Sequence, residues 1–194
     1  MTHLIVPIVE GHSEVLSIPA FLRRVLKDSH IFDFEVDRAI REHRNRLVKP
    51  DVLINRIRMA EHRPGCSAVL VVFDADDDAA CELGPRLLSS LERAGITTPR
   101  CVVLAVREIE AWLLAGVESL RGCRGIPEDL SPPENPESIR GAKEWLDRSM
   151  RAGYKPTIDQ LPLLEQLDYS MARSRAPSLD KLLRDIARMV EVLR

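Results

Sequence analysis

At 194 residues, 45% apolar and 30% charged, the chain has the composition of a folded domain that buries about 70% of its unfolded surface, which excludes a disordered or low-complexity polymer. A net charge of −2 excludes a uniformly basic polyanion-binding block, and no apolar run approaches the ~20 residues that span a bilayer. Cys66, Cys81, Cys101 and Cys123 lie far apart, with no CxxC and no histidine at zinc spacing. The opening "MTHLIVPIVEGHSE" lacks the basic start of a signal peptide, so the expectation is a cytoplasmic protein with free thiols, no structural zinc and no membrane contact.

In chain order, "HLIVPIVE" (3–10) reads as a buried strand and "FDFEV" (32–36) as a shorter one. Between them Ser13 is placed to cap a turn that continues beyond Pro19 as "AFLRRVLKD". The stretch 38–63 carries eight Arg or Lys against three acids, and Val52, Leu53, Ile57 and Ala60 mark a helix over 51–63. "SAVLVVFD" (67–74) and "RCVVLAV" (100–106) are continuous β-branched runs, expected of strands covered on both faces. Ala80, Leu83, Leu87, Leu91 and Ala94 form a stripe within a helix over 77–94, with Gly95 as its C-terminal cap. "EIEAWLLAG" is a short helix ended by Gly116, with Trp112 as core, and 126–138 is a proline-rich loop. Helices are expected over 139–151 and 178–193. Alternating strands and helices predict an α/β fold: a Rossmann-like, mainly parallel sheet flanked by helices, with a helical C-terminal third. The expected organisation is an α/β core over 1–116 and a helical extension over 117–194 packed on it.

"VLVVFDADDD" (69–78) ends an apolar strand in four carboxylates. Two unit charges about 4 Å apart repel by roughly 4 kcal/mol at an effective dielectric near 20, so converging acids imply a cation between them. Ligands of open parallel sheets bind at the carboxyl ends of strands. Glu10 ends the first strand, just before Gly11, while Asp74 and Asp76 end the third. Residues two apart in an extended chain point the same way, so these three acids are expected in one crevice. Asp77 and Asp78 are assigned instead to a helix start, where the macrodipole favours their charge. Hard oxygen donors without His or Cys suit Mg2+ or Mn2+. Arg41, Arg44, Arg46 and Arg56 of the basic stretch are candidate phosphate contacts, set against the plainer reading of a solvated face.

"IVEGHSEVLSIPAFLRRVL", "VVFDADDD" and "VLAVREIEAWLLAG" together resemble the TOPRIM domain of topoisomerases, primases and OLD-type nucleases. They are more similar still to small stand-alone bacterial TOPRIM-like proteins of unknown function, and "YKPTIDQ" (154–160) resembles that group's downstream segment. The resemblance covers residues 3–115 and implies metal and acid–base roles for Glu10 and metal ligation by Asp74 and Asp76. It also implies a second acid at Glu14, a later one at Glu110 or else Glu108, and a participating lysine, Lys155 first and Lys143 second. No ATPase domain, zinc ribbon or tyrosine-bearing cleavage domain accompanies these motifs. The expected activity is metal-dependent hydrolysis of DNA or RNA, with a homodimer or partner ATPase helping to hold substrate and a role in bacterial defence or repair. Two alternatives stay open: a non-catalytic module that binds metal and a protein partner, and a haloacid-dehalogenase-type phosphatase with Asp74 as nucleophile. In the latter family DxD normally closes the first strand and a Thr or Val follows after one residue, where this chain has Asp78. His12, beside the glutamate, is read as a turn residue without a role.

Overall fold

The computed structural model describes residues 2–194. Its strands are β1 (His3–Val9), β2 (Phe34–Val36), β3 (Ile40–Arg41), β4 (Cys66–Asp74) and β5 (Arg100–Ala105). Its α-helices are α1 (Glu14–Asp28), α2 (Arg44–Leu47), α3 (Pro50–Glu61), α4 (Ala80–Arg93), α5 (Glu110–Ala115), α6 (Ala142–Ser149), α7 (Pro156–Gln166), α8 (Tyr169–Ala172) and α9 (Pro177–Leu193). The strands form one parallel sheet in the order β2-β1-β4-β5, and β3 also pairs with β1, Val9 lying opposite Arg41 on one side and Val72 on the other.

Alternation along β4 explains the two layers. Leu70 and Val72 enter a core shared with α1, α5, α7 and α9, whereas Val69, Val71 and Phe73 enter a second core under α3 and α4. Both faces are covered, as the unbroken apolar runs require. After β1 the chain crosses to β2 and β3 on one side; it then returns across the sheet to β4 and moves outward to β5. The order therefore reverses between β1 and β4, and the crevice beyond their carboxyl ends is the place where such sheets take ligands. Glu10 and Asp74 stand on its two sides.

The expected α/β architecture is present, with local differences that have physical causes. β3 lies inside the basic stretch, too short to leave a periodic pattern. The helix expected from 77 begins at Ala80, because Asp77 and Asp78 occupy the turn before it and neither side chain caps it. The helix expected over 139–151 runs only Ala142–Ser149, started by Gly141 at φ 76°, a left-handed conformation that glycine adopts without strain. α7 and α8 are additional; Pro156 and Pro162 interrupt the pattern that would have marked α7, although Pro156 sits in its first turn, where no N–H is needed. α7 packs along α1 and α9 along β5, so the last third of the chain lies on the sheet. Among the described residues no helix is long and apolar enough to cross a membrane.

Candidate functional site

The acid-rich edge divides into an inner and an outer set. Glu10 follows β1 and accepts a hydrogen bond from the Asp74 N–H at 3.1 Å, tying the ends of the two central strands together. Asp74 is 4% exposed, with Oδ1 accepting from the Ile109 N–H at 2.8 Å and Oδ2 facing Lys143 Nζ at 3.3 Å. Glu14 opens α1 at 4% exposure and Glu110 opens α5 at 0%. Their Oε1 atoms are well supplied. Glu14 Oε1 accepts from Ser13 Oγ at 2.9 Å and Gln160 Nε2 at 3.1 Å; Glu110 Oε1 accepts from Tyr154 Oη at 3.0 Å and the same Gln160 Nε2 at 3.1 Å. Their Oε2 atoms are buried without any hydrogen-bond partner. Lys143 Nζ stands 3.5 Å from Glu110 Oε2, an ion pair but not a hydrogen bond.

Gly11 has a steric reason to be glycine. A Cβ there would lie 2.0 Å from Glu14 Oε2, so the carboxylate folds back over a backbone that only glycine leaves open.

Burial sets the charge state of this pocket. It pushes the Glu10 carboxyl up to about 7; the Asp74 N–H opposes that shift, while Glu14 and Asp76 reinforce it. It also drives Asp74 well above the usual carboxylate range, with Lys143 opposing and Glu110, Glu10 and Glu14 adding repulsion. Glu110 is likewise raised by burial against the pull of Lys143. For Lys143 burial works downward, yet Glu110 and Asp74 outweigh it and hold the ammonium above the ordinary lysine range. The one ammonium thus pairs with Asp74 and Glu110 and also acts on Glu10.

The outer set behaves otherwise. Asp76 adopts φ 50°, so the strand's alternation stops at Asp74 and Asp76 does not follow it inward. Its carboxylate pairs with Arg44 Nε at 2.9 Å at the rim, still near enough to Glu10 to raise that group. Arg44 also donates to the Asp74 and Ala75 carbonyls at 3.1 and 2.7 Å and pairs with Asp78. Asp77 holds Arg107 at 3.0 Å and Arg140. Asp77 and Asp78 are therefore ion-pair partners of distant arginines, which corrects their assignment to the helix start.

Of the five predicted acids, Glu10, Glu14, Asp74 and Glu110 form one electrostatically coupled cluster, and Asp76 reaches it through Glu10. Glu108 serves elsewhere, accepting from the Lys143 N–H at 3.0 Å. Lys155 is not brought to them. It is exposed at the start of α7, where its N–H donates to Asp159 Oδ2 at 2.8 Å, and Lys143 occupies the place beside the acids. Of the four arginines, Arg44 is committed to the acid loop, and Arg46 and Arg56 are paired with Glu42 at 3.4 and 2.6 Å. Arg41 forms no ion pair among the described residues, and its Nε lacks a partner. The signals missed in sequence are Gln160 and Tyr154; both lie within "YKPTIDQ", whose polar residues in a proline-flanked helix start were the only hint.

The donor set fits a hard divalent cation. It offers carboxylate oxygens only, two of them buried without a hydrogen-bond partner among the described residues, beside a glycine that leaves room for one. Among the described residues no group of three or more His, Cys, Asp or Glu is already arranged to hold a metal ion. The ammonium between Asp74 and Glu110 and the guanidinium on Asp76 account for that physically, since each draws its acids toward itself.

No curated protein and no solved structure matches the chain. A family model described as a domain of unknown function (DUF4276) matches residues 9–187, nearly the whole chain, and the protein belongs to that family.

Proposed function

We propose that the protein is a divalent-cation-dependent phosphodiesterase of TOPRIM type that cleaves nucleic acid. The observation that carries this reading is the pair of buried oxygens, Glu14 Oε2 and Glu110 Oε2, that lack a hydrogen-bond partner among the described residues, in a cluster of four carboxylates where Lys143 pairs only with Asp74 and Glu110. A bare buried carboxylate oxygen is costly, and a bound cation removes that cost. Glu10, Glu14, Asp74 and Glu110 would hold Mg2+ or Mn2+, with Asp76 at the rim.

Such an ion lowers the pKa of bound water and stabilises charge on a leaving phosphate oxygen. The chain's own groups supply the rest. Glu10, raised by burial to about 7 while no cation is bound, would be drawn into its ionised form on ligating the ion and could then accept a proton. Lys143, 38% exposed at its side chain and firmly protonated, can donate to a phosphate oxygen at the pocket mouth. Arg41, opposite Val9 on β3, is the basic side chain at this edge left free to meet a neighbouring phosphate.

The test is cleavage of labelled DNA and RNA with Mn2+. Activity should vanish in chelator and in Glu10→Gln; full activity in either would refute the proposal. Substrate affinity should lose about 0.9 of its log–log salt slope in Arg41→Ala and keep it in Arg46→Ala.

A non-catalytic module is the second reading, favoured by Lys143 already lying on Asp74 and Glu110. In that case, the module binding metal and a protein partner without turnover, Mn2+ would raise the melting temperature while DNA and RNA stay uncut. The phosphatase reading is the weaker one because the DxD segment does not close the first strand and Asp78 stands where that family has Thr or Val.

A further inference from the structure

Gln160 is the one fully buried side-chain amide among the described residues, it touches the inner acids, and the proposed chemistry leaves it unused. Its Nε2 bridges two carboxylates from different helices, Glu14 Oε1 and Glu110 Oε1, each at 3.1 Å, while its Oε1 accepts from Ser17 Oγ at 2.6 Å. An ionised carboxylate accepts only and the primary amide has one donor end, so the orientation follows from chemistry: turned over, Gln160 would aim its carbonyl at two acids. The helix carrying it is anchored. Asp159 Oδ2 accepts the Lys155 N–H at 2.8 Å across the first turn of α7, and Arg124 braces Asp159 Oδ1 at 2.7 Å.

We infer that Gln160 is a positioning residue: by fixing Oε1 of both Glu14 and Glu110, it turns their two Oε2 atoms toward the pocket as a preformed pair of cation ligands. The inference rests on the metal reading above. Ligating groups are held by such hydrogen bonds, and losing one typically costs 10–100-fold in metal affinity. Tyr154 supports only Glu110, and Ser13 only Glu14. Gln160 alone links the two, so its loss frees their relative orientation. This also gives "YKPTIDQ" a physical role at both ends, through Tyr154 and Gln160.

The experiment is a titration of the full chain with Mn2+, free ion being counted by electron paramagnetic resonance, alongside thermal melts in chelator. The variants are Gln160→Met, which keeps length and removes both donors, Ser17→Ala, which releases only the amide's orientation, and Leu164→Ala, which destabilises the same helix without touching a carboxylate. The expected result is a dissociation constant raised at least tenfold in Gln160→Met and by a smaller factor in Ser17→Ala, with Leu164→Ala unchanged despite its lower melting temperature. If Gln160→Met melts lower but binds Mn2+ like wild type, Gln160 is merely structural and the inference fails alone. If Leu164→Ala weakens binding as much as Gln160→Met, affinity follows stability and the inference again fails alone. Should wild type bind no Mn2+, the metal reading falls and takes this inference with it. If Gln160→Met does not fold, Ser17→Ala decides: an unchanged constant there overturns the proposal.

Discussion

Asp74 of the inner acids and Asp76, Asp77 and Asp78 of the outer set are close neighbours in sequence, yet the two sets are neutralised in opposite ways. Asp76, Asp77 and Asp78 are more than half exposed or close to it, and three arginines, Arg44, Arg107 and Arg140, satisfy them. Glu10, Glu14, Asp74 and Glu110 sit around the reversal point of the sheet with Lys143 as their cation. Exposed charges cost little and gain little from pairing, whereas buried ones must be protonated, paired or ligated. The number of carboxylates in "DADDD" therefore says less about chemistry than their depth does. On the proposed reading, a cation would be drawn to the set that is short of one.

The largest expected effect sets the two groups directly against each other. At Mn2+ about 100 times its dissociation constant, wild type should gain roughly 2.7 kcal/mol, worth several degrees in melting temperature for a chain of this size. Glu110→Gln should lose most of that gain and Asp77→Asn should keep it. Calorimetry of the three proteins, with chelator and with Mn2+, reads the result. Equal gains in all three would mean that the ion binds neither set.

Next comes the internal cation. Breaking a buried ion pair by removing one partner costs about 3–5 kcal/mol; Lys143 is partly exposed, so Lys143→Met should fall below that range, near 2 kcal/mol in chelator. Mn2+ should restore much of the loss, because it brings positive charge to the same acids. A loss that Mn2+ leaves untouched would show that Lys143 packs rather than neutralises.

How much of this was legible before the fold was known follows the range of the interactions. The strands were readable because burial on both faces leaves an unbroken apolar run, as at Val69–Phe73. Glu10 and Asp74 were readable because parallel strands deliver their ends to one edge. Lys143 was named only second, behind Lys155, and Gln160 not at all, since each reaches the acids across a long stretch of chain, 69 residues from Asp74 and 146 from Glu14. No local pattern encodes such a contact. Asp76 misled for the converse reason. Strand alternation ends where the chain leaves the sheet, and the positive φ at Asp76 falls just past that point. The arginines misled because charge counts do not reveal pairing: Arg44 reads as a free cation and is instead a clamp on the acid loop.

The acids also differ in how they titrate, which gives a smaller effect. Glu10 has a folded-state pKa raised from 4.5 to about 7, so the native state holds a proton that the unfolded chain has already released. The stabilising contribution is complete below about 4.5 and is lost as pH rises through about 7. Asp74 and Glu110, both raised, act in the same direction. In chelator, wild type should melt progressively lower from pH 5 to pH 8, and Glu10→Gln should flatten part of that slope. With Mn2+ present the slope should shrink or reverse, because the ion binds the deprotonated acids. A slope identical in wild type and Glu10→Gln would remove Glu10 from the titrating set.

The smallest effect belongs to the outer set, and it tests the comparison from the other side. Arg140 and Asp77 form an ion pair with side chains 74% and 68% exposed. Surface pairs of this kind contribute about 0–1 kcal/mol, and Asp77 keeps Arg107 at 3.0 Å when Arg140 is gone. Arg140→Ala should therefore change stability by less than about 0.5 kcal/mol and leave the Mn2+-induced gain as it was. Added salt should erase what difference there is, since exposed charges are screened within about 10 Å at 0.1 M. A loss near 2 kcal/mol, persisting in 1 M salt, would mean that Arg140 closes a desolvated contact over the pocket. The outer acids would then be part of the inner site's wall, and the division between the two sets would fail.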